Sequence, residues 1–197
     1  MVRGVLVTSI ARTLADLART TWASAAVAAM DHALRRGWVG VDELDDVAAF
    51  CRGWPGARGI PVALAMTDRR AESPLESCSR LVLDHVGLPR PELQASIRTL
   101  GGRFLGRADF YWDDTGVVGE ADGRNKYTQR DVLVAEKLRQ ERLEQAGLVV
   151  VRWTWTDMRY SSGRLKRRIE RAFERGRARD AAALPRQWSV SPLPTGE

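Results

Sequence analysis

The sequence predicts an α/β (α+β) chain: a helical N-terminal region, then a central mixed sheet flanked by helices. Three observations carry this. Between residues 9 and 67 apolar residues recur at helical spacing, interrupted by Gly and Pro breaks. From Gly102 to Tyr127 the run GRFLGRADFYWDDTGVVGEADGRNKY reads as two strands around a turn. A helix and then a β-branched strand follow it, the strand–helix–strand order of a crossover unit.

The helical region comes first. SIARTLADLART sets Ile10, Leu14 and Leu17 at helical spacing behind a Thr8-Ser9 cap. A second helix is expected from Trp22 to Arg36, ending at Gly37, and a third from Val41 to Cys51. Gly53-Trp54-Pro55-Gly56 breaks the pattern before a weaker fourth helix, Gly59 to Thr67. His32 has no partner at ligand spacing and reads as a surface or core histidine. Ser73-Pro74-Leu75-Glu76 then opens a helix, with Ser73 as N-cap, Pro74 at the first helical position and Glu76 at the capping-box position. Gly87, Pro89 and Pro91 end it. Leu93 to Thr99 is a strand, and Gly101-Gly102 leads into the hairpin.

Asp113-Asp114-Thr115-Gly116 supplies the turn, with Gly where a positive φ is needed. Trp112 then pairs with Val117, Tyr111 with Val118, Phe110 with Gly119 and Asp109 with Glu120. Side chains alternate along a strand, so Phe110, Trp112, Val117 and Gly119 share one face. Arg107, Asp109, Tyr111, Val118, Glu120 and Asp122 share the other. Opposed residues on one face stand about 4.5–5.5 Å apart, where like charges repel. Two readings stay open for the facing acids: a divalent metal, since Mg²⁺ takes one or two carboxylates with water and phosphate, or a solvated hairpin. Asp122 faces Arg107 in the same register, an ordinary cross-strand ion pair.

After Tyr127 a helix from Arg130 to Ala146 carries Leu133, Val134, Leu138 and Leu143, and Gly147 ends it. On it Glu136 and Arg139, three apart, suit a surface ion pair. Leu148 to Trp155, LVVVRWTW, is the clearest strand, with Val149, Val151, Trp153 and Trp155 on one core-facing side. Arg164 to Arg175 is a basic helix, either a solvated face or a phosphate contact, and residues 179–197 read as a disordered tail.

Composition sets wider bounds. The 197 residues are 44% apolar, enough for a substantial core. Net charge is +6, which suits a polyanionic partner. Arg far outnumbers Lys, with only Lys126, Lys137 and Lys166 of the latter. Cys51 and Cys78 match neither a metal spacing nor a disulfide framework. With no long apolar run at the start, a cytoplasmic chain without membrane segment or signal peptide is expected.

Taken in order, S-P-x-E on a helix, the strand A-D-F at residues 108–110, E-x-D-G at 120–123, R-x-x-x-L-x-x-x-G at 139–147 and V-x-R-W at 150–153 resemble the PD-(D/E)XK nuclease superfamily. The likeness is to its branch related to very-short-patch-repair endonucleases and runs from about Glu72 to Asp157. TSIARTLADLAR is similar to a region of actinobacterial proteins that carry an abortive-infection antitoxin-like winged helix ahead of such a domain. That winged helix is expected to be missing here. The implied organisation is a helical region over 1–67, a restriction-endonuclease-like domain over 68–178, and the tail.

The resemblance implies an endonuclease that hydrolyses phosphodiester bonds in DNA with Mg²⁺ or Mn²⁺, in repair, mobile elements or phage defence. Asp109 and Glu120 match the metal-binding acids, and Glu76 matches the helical acid that completes the metal shell. The superfamily's lysine lies two residues after the second acid, where this chain has Asp122. Lys126, at a position commonly His in this branch, would take the lysine's role. Arg139 and Arg152 match basic positions and, with Arg107, are expected to meet nucleic acid. The alternative is a catalytically inactive, nuclease-fold DNA-binding regulator, with a protein partner in a toxin–antitoxin or defence setting.

Overall fold

A computed structural model describes residues 4–123, 130–181 and 186–191, and Cα packing divides the chain into two compact units, Met1–Leu81 and Val82–Glu197.

The first unit contains α1 (Ile10–Thr20), α2 (Ala23–Arg35), α3 (Val41–Phe50), α4 (Gly59–Ala65) and the start of α5 (Pro74–His85). Ser9 caps α1, its Oγ accepting from the Arg12 amide at 3.2 Å. The buried stripe of α1 is Ala11, Leu14, Ala15 and Ala18, while Ile10 is exposed. Close approach explains this preference for small residues: a Cβ added to Gly59 would stand 2.3 Å from the Ala18 carbonyl oxygen. Asp31 of α2, wholly buried, accepts from Arg80 Nη2 at 2.5 Å and from the Asp68 amide at 2.6 Å. Arg80 Nη1 also donates to the Met66 carbonyl at 2.7 Å. Burial pushes the Asp31 carboxyl up, against the pull of Arg80. These bonds tie the start of α5 to the helices before it. The boundary expected ahead of residue 68 therefore falls inside α5.

The second unit is a five-stranded mixed sheet in the order β4-β3-β2-β1-β5. Its strands are β1 (Glu92–Thr99), β2 (Phe104–Trp112), β3 (Val117–Ala121), β4 (Val149–Trp153) and β5 (Trp188–Ser191). The first three form an antiparallel meander; α6 (Arg130–Gln145) then carries the chain to β4, which lies parallel to β3. The hairpin ladder pairs Trp112 with Val117, Tyr111 with Val118 and Phe110 with Gly119, the register that the turn count predicts. Gly116 takes the expected positive φ, 59°.

Two helices cover opposite faces of this sheet. Leu143 of α6 joins Tyr111 and Val118 in one buried cluster. On the other face Trp112 meets Phe173 of α8 (Ser162–Ala181) at 5.3 Å between ring centroids, and Phe110 meets Trp153 at 5.1 Å. Gly119 sits under that second pair, where an added Cβ would come within 2.5 Å of the Trp153 ring. Of the apolar residues named along α6, Leu143 is buried but Val134 and Leu138 are exposed. Among its described side chains, Leu143 meets the sheet near the C-terminal end, and charged side chains nearer the middle do so as described below.

Two expectations are corrected. Trp155 does not share the core face of β4: the strand ends at Trp153, Thr154 caps the short helix α7 (Trp155–Tyr160), and Trp155 is 45% exposed. The capping box through Asp157, which accepts from the Thr154 amide at 2.9 Å, ends the strand despite its apolar run. Nor is the segment after residue 178 a disordered tail throughout. α8 reaches Ala181, and β5 pairs antiparallel with β1. Trp188 anchors that edge, donating from Nε1 to the Tyr111 hydroxyl at 2.8 Å. Arg186 donates to the same hydroxyl at 2.9 Å and pairs with Asp113. Burial pushes the Tyr111 hydroxyl up to about 12, so it stays protonated.

Two substitutions test this packing by urea unfolding followed through tryptophan fluorescence. Gly119→Ala is expected to destabilise by about 1–3 kcal/mol through overpacking. Trp188→Ala is expected to cost about 3–5 kcal/mol, the range for a buried aromatic.

Candidate functional site

The acids of the hairpin lie on the face of the sheet that α6 covers. Asp109 of β2 is half-buried, and its Oδ2 accepts from the Ala121 amide of β3 at 3.0 Å. Its side chain thus reaches across the hairpin to the residue that follows Glu120. Glu120 is buried at 6% exposure and is paired in register with Arg152 of β4.

Each Glu120 oxygen meets a guanidinium. Arg139 Nη2 of α6 is 2.5 Å from Oε1, and Arg152 Nη2 is 2.8 Å from Oε2. Both arginines also bond Glu136. Arg139 reaches it at 2.6 and 2.9 Å, and Arg152 Nη2 donates to its Oε1. The result is a closed ring of Glu120, Arg139, Glu136 and Arg152 joining β3, α6 and β4. Arg139 Nη1 donates further to the Arg107 carbonyl of β2 at 3.2 Å. Burial raises the Glu120 carboxyl, and its two arginines only partly offset that. The hydrogen bond from Arg139 is the main reason that Glu136 is lowered. Burial works against the charge on Arg139, but the two glutamates outweigh it and raise its pKa.

The structure brings some of the expected site residues into contact. Glu120, Arg139 and Arg152 are in direct contact, and Asp122 Oδ2 stands 3.8 Å from Arg152 Nη1. Asp122 also donates its amide to the Trp153 carbonyl at 2.7 Å, extending the β3–β4 contact. Arg139 and Arg152, expected to meet phosphate, are turned onto carboxylates instead. Arg107 is exposed on β2. Glu76 belongs to the first unit, where Ser73 Oγ donates to its Oε1 at 2.7 Å and the Glu72 amide donates to its Oε2 at 2.8 Å. That is the helix-start role the capping-box spacing indicates. Lys126 lies outside the described residues.

Two residues enter that the sequence did not single out for the site. Glu136 reads as half of a surface pair by spacing, yet it joins both arginines; only the β3–β4 pairing brings Arg152 to it. Gln94 is fully buried in β1 with φ 53°, at the register position facing Asp109 between the pairs Leu93–Phe110 and Ala95–Ala108. A left-handed backbone costs a non-glycine residue about 1–2 kcal/mol. Nothing in a strand sequence signals it.

The donor set tests the metal. Asp109 and Glu120 offer carboxylate oxygens, which fit Mg²⁺ or Mn²⁺ in kind, and two carboxylates suffice when water and phosphate complete the shell. Among the described residues no group of three His, Cys, Asp or Glu stands close enough to hold an ion. An all-protein cage is therefore not formed by them, and Glu120 would have to exchange a guanidinium for any ion it met.

Comparison with known proteins adds relatives but no activity. The chain is 35% identical over 176 residues to two uncharacterized proteins of Mycobacterium tuberculosis, MT2308 of strain CDC 1551 and Rv2248 of strain H37Rv. The match takes in 89% of this chain and 65% of each relative. No family model matches the chain. No solved structure matches it either. No described helix is long and apolar enough to cross a membrane.

The ring has a pH signature. Glu136 is lowered from its usual 4.5, so its ionisation adds stability above that pH, and the gain is lost as pH falls through the lower folded value. Glu136→Gln should therefore destabilise the protein more at pH 7 than at pH 3, measured by urea unfolding at both. An equal effect at the two pH values would count against the ring as the source.

Proposed function

We propose that the second unit is a metal-dependent endonuclease hydrolysing phosphodiester bonds in DNA. The observation that carries this reading is the hairpin geometry: Asp109 reaches across to Ala121, beside the buried Glu120. In support, the motif order Glu72–Asp157 resembles the PD-(D/E)XK superfamily, and the meander, helix and parallel strand agree with the architecture that the resemblance implies.

Asp109 and Glu120 are the residues that would hold Mg²⁺ or Mn²⁺. Such an ion lowers the pKa of a bound water and neutralises the scissile phosphate. The chain's own part is to keep the acids on a rigid hairpin and to supply cations beside them. Arg139 and Arg152, which also bond Glu136, would keep that partner if Glu120 held an ion, and would supply positive charge for a phosphate. Lys126 would stabilise charge developing on phosphorus. Cleavage is expected to leave a 5′-phosphate, in a repair, mobile-element or phage-defence setting and within a cytoplasmic protein.

A second reading has its own observation. Both Glu120 oxygens are held by guanidinium groups, and Asp122 stands in the lysine position. A nuclease fold that binds DNA without turning it over, as an antitoxin-like regulator with a protein partner, accounts for that arrangement equally directly.

Purified protein with Mn²⁺ or Mg²⁺ is expected to nick or cut DNA. Asp109→Ala should lower the rate by at least about 100-fold, at or beyond the upper end of the effect of losing a group that only supports a metal ligand. Calorimetric Mn²⁺ titration of wild type against Glu120→Gln, with circular dichroism to establish folding, separates the readings. Weaker binding in the variant supports the nuclease; metal-indifferent, salt-sensitive DNA binding without cleavage supports the regulator.

A further inference from the structure

The basic helix α8 has two unlike sides. Leu165, Ile169, Ala172, Phe173 and Gly176 are buried, and the helix packs on β3 and β4. Arg164, Arg167, Arg171 and Arg175 are exposed. At 3.6 residues per turn these four fall within an arc of about 80°, in a row roughly 16 Å long. Other cations of the helix are engaged: Lys166 stands 3.8 Å from Glu170, and Arg168 bonds Asp157 at 3.2 Å and the Arg152 carbonyl at 2.6 Å. Among the described residues none of the four in the row has a carboxylate partner, Glu174 at its edge included.

Local stability does not favour such a row. Like charges three or four residues apart on a helix each cost about 0.2–0.5 kcal/mol. Arg164 stands in the first turn, where the helix dipole disfavours a cation. A polyanion laid along the row reverses both costs. Duplex DNA carries one phosphate per 3.4 Å of axis on each strand, so a row of roughly 16 Å spans about four to five phosphates of one strand. A membrane-surface helix would leave its apolar side open to lipid, whereas here the sheet covers it.

We propose that Arg164, Arg167, Arg171 and Arg175 form a nucleic-acid backbone-binding row on α8. The row shares its partner with the function proposed above but stands apart from its acids, because α8 covers the face of the sheet opposite Glu120. It holds DNA whether or not the hairpin cleaves it.

The test measures affinity of the full chain for a fluorescent 20-base-pair duplex in EDTA across a salt series. The fourfold Arg→Gln variant of the row is compared with a control carrying Arg36, Arg52, Arg58 and Arg90→Gln, which loses the same net charge. Each phosphate contact contributes about 0.9 to the slope of log K against log salt. The row variant is therefore expected to lose about 3 to 4 from that slope, while the control keeps most of it. An unchanged slope, an equal loss in the control, or no binding by the wild type at low salt would each overturn the proposal. Cleavage plays no part in this readout, so an inactive hairpin leaves it intact.

Discussion

The second unit is organised around a buried carboxylate that carries its own counterions. Glu120 sits on the sheet, and its two oxygens are bonded by Arg139 from the helix above and Arg152 from the neighbouring strand. Removing a charge from water costs several kcal/mol unless it is partnered and hydrogen-bonded. Here the requirement is met by recruiting the two elements that follow β3 in the chain. Glu136 closes the ring and balances the second guanidinium. The strand–helix–strand connection is thus held by electrostatics near the middle of α6 and by Leu143 in the apolar cluster towards its C-terminal end.

The same ring frames the functional question. A nuclease needs Glu120 available to a cation; a stable fold needs Glu120 neutralised. Guanidinium groups shared with Glu136 answer both needs, because they have a second carboxylate to hold when the first turns away. A permanently closed ring would instead serve as structure. The chemistry of the residues is identical in the two cases, and what differs is the free energy of exchanging an arginine for a metal ion.

Much of this was legible in the residues. The turn DDTG fixes the β2–β3 register because a positive φ at Gly116 and strict alternation leave little choice. The helices of the first unit follow from caps and spacing, with boundaries shifted by a residue or two. Glu76 was legible as a cap because its partners lie within four residues. Trp155 was misread because a run of β-branched and aromatic residues favours strand, while the Thr154–Asp157 capping box, a local hydrogen-bonding preference, ends it. The β5 edge was missed because a four-residue strand after a Pro-containing stretch has almost no pattern; Trp188 is placed by Tyr111, Thr99 and other residues far away in sequence.

By itself the sequence determined the classes of element apart from α7 and β5, the hairpin register and the two-faced character of β2 and β3, all set by local geometry and period. Tertiary structure alone decided which charges meet. Arg152 and Glu136 are 16 residues apart, and no spacing rule links a strand residue to a helix residue across a sheet. The left-handed backbone of Gln94, between the pairs Leu93–Phe110 and Ala95–Ala108, is likewise visible only in the folded sheet. The pairing of β4 with β3 made a ring out of side chains that the sequence could only name one at a time.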